Sequence, residues 1–242
     1  MFALQTLSDD LATVSYRSVG KQLAPLIVRT RGHRLEGMWH AGSPMGMILN
    51  SLKGMLVLTP RNMVQASGMY NTLMSCTDPA LIIEPLNAYR LKEKEPLNLG
   101  EFTVPLGKIE IINPGTDITV VSYGSTLKLV EKTISELERN NINIELIDIQ
   151  SLIPFDLNKD IVRSIKKTNK LLIVDEDYPG GASSFILKVL IEDHNGFKYL
   201  DSKPITLTAK EHRTPYGSDG DYFSKPSIDD IFEACYRIMH EY

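Results

Sequence analysis

The feature that most limits what this chain can fold into is an alternation that begins after Thr116. "DITVVSY" (117–123) is an apolar run of strand length. "GSTLKLVEKTISELERNN" (124–141) follows, with Leu127, Val130, Ile134 and Leu137 on one helical face. Then come "INIELIDI", "LNKDIVRSIKK", "KLLIVDED", "GGASSFILKVLIED", "PITLTAK" and "SIDDIFEACYRIMHEY", read as strand, helix, strand, helix, edge strand and terminal helix. Strands with no polar side must be covered on both faces, and parallel strands need a crossover between them. Residues 116–242 are therefore expected to form a doubly wound α/β domain of ordinary size.

The first 90 residues carry the same grammar less completely. Residues 8–21 are expected to form a helix, with Ser8 as cap, Asp9 and Asp10 at the positive end of the dipole, and Gly20 as the stop. "APLIVRT", "GMLVLTP" and "DPALIIEP" read as three buried strands, with "NMVQASGMYNTLMSC" a helix capped by Asn62 between the last two. A parallel sheet of three strands is poorly covered, so a further segment or a partner chain is expected to complete it. Residues 91–115, rich in charge, Pro and Gly, are the expected linker, with one extended piece at "GKIEII".

Bulk properties exclude several classes. The formal net charge is -4 at pH 7, which gives no electrostatic case for nucleic acid. Two cysteines, Cys76 and Cys235, do not make a disulfide framework and suit a reducing, cytoplasmic setting. No apolar run approaches the ~18 residues of a membrane span, and "MFALQTLSDD" has no basic leader, so neither an anchor nor a signal peptide is expected. No Cys or His spacing of metal-binding type occurs.

One stretch stands apart: "RTRGHRLEGMWHAGSPMG", from Arg29 to Gly46, holds three arginines, two histidines, the only Trp and four glycines. It follows the first strand directly, at the end where open α/β sheets bind ligands. His40, beside Trp39, could move protons at neutral pH, or could serve only as a hydrogen bond within the loop. Elsewhere "SYGST" is read as a turn and cap, "VDEDYPGGA" as helix-capping or partner-facing carboxylates, and "EHRTPYGSDGDYFSKP" as an interface loop.

"PLIVRTRG…WHAGSP", "LVLTPRNMVQASGMYNTLMSCTDPALIIEPLNAYR" and "GTDITVVSYGSTLKLVEKTISELE…IELIDIQSLIPFD…LLIVDED…GGA" together resemble the beta subunit, or beta half, of the thiamine-diphosphate-dependent first component of 2-oxo acid dehydrogenases. The resemblance runs over essentially all 242 residues. It implies a fold: the C-terminal part of a transketolase-like pyrimidine-binding domain (1–90), a linker, and a transketolase C-terminal-type domain (116–242). It also implies an activity, decarboxylation of a 2-oxo acid and reductive acylation of a lipoyl arm. His40 falls on the family's H-S-Q-S-P histidine and would hydrogen-bond the developing hydroxyl or assist proton movement to the dithiolane. Ala41 and Gly42 depart from the usual Ser and Gln. Arg29, Arg31, Trp39 and Ser43 would line the substrate channel.

The same resemblance implies thiamine diphosphate with Mg2+, held mainly outside this chain, no metal ligand within it, and a possible monovalent cation near Asp78. It implies as partners an alpha subunit or alpha half, a lipoyl acyltransferase core and a second copy of the chain in a homodimer. Asp229, Asp230, Glu233 and Glu241 are the candidate acidic face for the acyltransferase, and the chain alone is expected to be inactive. Two alternatives stay open: another transketolase-type enzyme, such as a transketolase or deoxyxylulose-phosphate synthase, or a non-catalytic assembly module.

Overall fold

The computed structural model describes residues 2–32, 45–85, 89, 91–212, 215–216 and 220–240, with the backbone alone at Phe2 and Asp221. The chain opens on α1 (Phe2–Gln5), a wide helical turn (Thr6–Leu11) and α2 (Val14–Arg17). Then come β1 (Ile27–Arg31), α3 (Met45–Ser51), β2 (Leu56–Leu58), α4 (Met63–Leu73), β3 (Ala80–Glu84) and β4 (Glu110–Asn113). The C-terminal half contributes β5 (Ile118–Ser122), α5 (Leu127–Arg139), β6 (Ile144–Asp148), β7 (Ser151–Ile153), α6 (Asp160–Thr168), β8 (Leu171–Val174), α7 (Ala182–Lys188), β9 (Ile205–Leu207), α8 (Gly220–Ser224) and α9 (Ile228–His240).

Two sheets result. The first has the order β1-β3-β2-β7 and the second β4-β6-β5-β8-β9. All pairings are parallel except β7 against β2 and β4 against β6. The period-two alternation of side chains sorts the core into three clusters. Leu58 and Ile82 point to one side of the first sheet, under Met69 and Leu73 of α4. Val120, Leu146, Leu172 and Val174 point to the far side of the second, under α5 and α9. Their alternates, Val57, Leu81 and Ile83 from the first sheet and Val121, Ile147 and Ile173 from the second, join one shared cluster with α3, α6 and α7. The molecule is thus layered α/β/α/β/α, with its middle helices common to both sheets.

Several expectations are corrected here. The helix over 8–21 is broken instead into α1, the wide turn and α2, and it starts before Ser8. Ser8 caps nothing; its hydroxyl bonds Gln5 O at 3.2 Å and Asp9 Oδ1 at 3.0 Å. The Thr13 hydroxyl donates back to Asp9 O, four residues earlier, a contact that disfavours a straight helix. The extended piece expected at "GKIEII" within the linker is present, as strand β4, which pairs with β6. Three elements fall where the sequence reads as loop or carries no periodicity: α3, with Met45, Ile48 and Leu49 buried, β7, three residues long, and α8, inside the expected interface loop. The terminal helix, the edge position of β9 and the Asn62 cap, whose Oδ1 accepts from Gln65 N at 2.8 Å, all stand.

Candidate functional site

The C-terminal ends of β1, β2, β3, β5 and β8 are where polar groups gather. At the end of β1 the Gly32 N–H donates to the carbonyl of Glu84, the last residue of β3. Gly32 itself turns with φ +58°, a conformation glycine adopts without strain. Residues 33–44, with the expected His40, Trp39 and Ser43, lie outside the described residues. The chain resumes at α3, which lies so close to the β8–α7 turn that a Cβ at Gly46 would sit 2.9 Å from Gly180 O.

Glu84 organises this corner. Its side chain is 1% exposed, and its Oε2 accepts from Arg29 Nη2 at 2.7 Å and from the Tyr89 hydroxyl. Its Oε1 accepts from the Tyr70 hydroxyl at 2.5 Å. Burial pushes the carboxyl up, but the hydrogen bonds from Tyr70, Tyr89 and Arg29 outweigh it and leave Glu84 below the usual carboxylate range. Burial and the Glu84 bond together hold the Tyr70 phenol well above its ordinary value.

A second network ties the two sheets together. Arg61, just past β2, bonds Glu110 Oε2 and Asp148 Oδ2, each at 2.7 Å. Gln65 of α4 donates to Asp148 Oδ2 and Gln150 Oε1, each at 2.8 Å. Burial pushes the Asp148 carboxyl up, against the opposing pull of Gln65 and Arg61. Between these networks and α9 opens a crevice of about 510 Å³, lined by Arg61, Pro85, Leu91, Lys128, Leu129 and Ile228 among others. That volume lies within the range of small-molecule sites.

The remaining expected residues fall elsewhere. Arg29 and Arg31 both sit on β1, at its exposed end. Asp229 and Asp230 are exposed at the start of α9 and Glu233 one turn further; Glu241 lies outside the described residues. Asp229 accepts the Tyr222 hydroxyl at 2.8 Å, and Asp230 closes a reciprocal cap with Ser227. Asp78 is exposed in the turn before β3, where the carbonyls of Thr72 and Leu73 already accept backbone N–H groups. Asp175 accepts the Ser183 N–H at 2.8 Å at the start of α7, the capping role read from its sequence. Among the described residues no His, Cys, Asp and Glu cluster could hold a metal ion, and the oxygens of Glu84, Asp148 and Asp175 are occupied by protein donors. These residues do not fit a diphosphate–Mg2+ site.

Residues 107–223 match the family described as transketolase, C-terminal domain. Among solved structures, one titled "Split gene transketolase, inactive beta4 tetramer" superposes with a TM-score of 0.68 at 17% identity, covering 98% of this chain and 73% of that one. The fold is thus of transketolase type. The beta subunit of the pyruvate dehydrogenase E1 component of Chlorokybus atmophyticus is 31% identical over 236 residues, 97% of this chain and 69% of that protein. Its counterpart from Acholeplasma laidlawii is 29% identical over 224 residues, 91% of this chain and 66% of that protein. The chain belongs to the family of beta subunits of 2-oxo acid dehydrogenase E1 components, and it spans about two thirds of the length of these two relatives.

Proposed function

We propose that this chain is the beta part of a thiamine-diphosphate-dependent E1 component that decarboxylates a 2-oxo acid and delivers the acyl group to the lipoyl arm of an acyltransferase. The observation that carries the proposal is the likeness to an E1 beta subunit over 97% of the chain, in which the run containing His40 follows the C-terminal end of β1 in sequence. Residues 1–90 would then be the C-terminal part of the pyrimidine-binding domain and 116–242 the transketolase C-terminal-type domain. Thiamine diphosphate, where bound, supplies the carbanion chemistry, and its diphosphate and Mg2+ are assigned to an alpha subunit or alpha half. A monovalent cation near Asp78 would stabilise the turn before β3.

This chain's own contributions are binding and proton control. His40 holds or moves a proton at the substrate oxygen, and Arg29 and Arg31 draw the anionic substrate toward the channel that Trp39 and Ser43 line. Asp229, Asp230, Glu233 and Glu241 offer an acidic face to a basic region of the acyltransferase, a contact that salt would weaken. A second copy of the chain completes a cytoplasmic homodimer.

The test is turnover of the complete enzyme with His40→Ala. Loss of about 10²–10⁴-fold in rate is expected for a missing proton-transfer group, with cofactor affinity nearly intact. The 242-residue chain alone is expected to bind thiamine diphosphate negligibly by calorimetry. Full activity in the variant, or tight binding by the lone chain, would remove the proposal.

A further inference from the structure

Arg29 and Arg31 are two residues apart on one strand, so both side chains leave the same face of β1. Their partners in register, Ile82 and Glu84, share that face. Ile82 is covered by α4, and Tyr70 of α4 reaches Glu84. Among the described residues β1 is the outer strand of its sheet, so no described strand closes the flank beside the two arginines. The ion pair is lopsided: the Arg29 side chain is 65% exposed and its partner Glu84 only 1%.

That asymmetry separates two roles. Both oxygens of Glu84 are filled, by Tyr70 on one and by Arg29 and Tyr89 on the other. Among the described residues Arg29 bonds Glu84 through Nη2 and also meets the Tyr89 hydroxyl, and a guanidinium carries five N–H donors in a rigid fork that matches a carboxylate, so donors remain for a ligand. Arg31 is exposed and forms no ion pair among the described residues. Arg29, Arg31 and Glu84 therefore sum to one net positive charge at the ligand-binding end of a parallel sheet.

We propose that Glu84 is a positioning residue: it fixes Arg29 beside Arg31 as a two-arginine clamp for the carboxylate of a small 2-oxo acid. The inference rests on the function proposed above for the substrate's identity, but the clamp is tested separately from turnover. The chain is labelled with 15N at its arginine side chains, and pyruvate is titrated into it. The Nε signals of Arg29 and Arg31 should shift together and saturate, and Glu84→Gln should weaken the apparent affinity about 10-fold, the usual scale for a charge-assisted hydrogen bond. Signals that stay still in the wild type, or that respond equally to inorganic phosphate, would overturn the proposal.

In the assembled enzyme, Glu84→Gln should raise KM for the 2-oxo acid about 10-fold, with a smaller fall in kcat. Arg31→Gln, on the exposed end of the strand, should reproduce the KM change with the thermal midpoint unmoved, which covers the case where Glu84→Gln folds poorly. An unchanged KM in Arg31→Gln would likewise overturn the clamp. A wild-type enzyme that decarboxylates no 2-oxo acid while pyruvate still moves both arginine signals would retire the proposed function and leave the clamp standing.

Discussion

His194 lies against Phe155, ring centroids 6.1 Å apart, and its Nδ1 stands 3.9 Å from Asp156 Oδ2. The Asp156 oxygens are already occupied by the Asp160 and Ile161 N–H groups that begin α6. Burial holds His194 below its ordinary value; the Asp156 charge offsets part of that and Lys159 adds to it. The unfolded chain therefore takes up a proton below about pH 6.5 that the folded chain resists, so this residue's contribution falls as pH drops through that window. Unfolding free energies measured at pH 7 and 5.5 should fall more in the wild type than in His194→Phe; equal losses would refute the assignment. At this scale the sequence was only partly readable. His40 stands out from its Gly-rich loop beyond a strand end, but its specific role is given by family likeness alone. Glu84 looked like the last letter of an apolar strand, because Arg29, Tyr70 and Tyr89 come from three separate stretches. Asp230 carries a local signal, the S-x-x-D spacing of a capping box at 227–230, beside the acidic charge that suggests a partner contact.

Among the elements, α9 shows how a cap and a stripe cooperate. Ile231, Ala234, Cys235 and Ile238 bury one face beside Val130 and Leu137 of α5. That burial pushes the Cys235 thiol up to about 12, so it behaves as a core side chain. Ser227 and Asp230 satisfy each other's backbone N–H at the helix start, Ser227 N at 2.8 Å and Asp230 N at 3.1 Å. Ser227→Ala should therefore cost about 0.5–2 kcal/mol in a denaturant melt, and a change within error would show the cap idle. Long periodic segments such as α5 and α9 were plain in the sequence. α3 is hidden in the sequence because its Met45, Ile48, Leu49 spacing follows a run of Gly, Ser and Pro that reads as loop. β7 is too short for any periodicity, and it exists only because β2 offers an edge. The opening helix failed for the opposite reason: good local signals, but no side chain of the wide turn Thr6–Leu11 is buried to hold it straight.

For the whole molecule, the shared middle layer decides how the two sheets depend on each other. Leu49 of α3 is 1% exposed and belongs to the cluster that also holds Val121, Ile147 and Ile173 of the second sheet. Leu49→Ala should cost about 2–5 kcal/mol. Because the cluster is common property, the loss should move one cooperative transition; calorimetry that resolves two, with only the first displaced, would show that the halves unfold separately. The crossing of β7 back to β2 has a consequence for synthesis on the ribosome. Of the strands described for the first sheet, all but β7 have been made by Glu84, yet β2 keeps a bare edge until Ser151 to Ile153 emerge. A nascent chain at that stage presents an unpaired apolar strand of the kind that recruits wrong partners. The N-terminal half is thus made first but finished late, and a chaperone that covers nascent strands would find its natural client in the interval between β3 and β7.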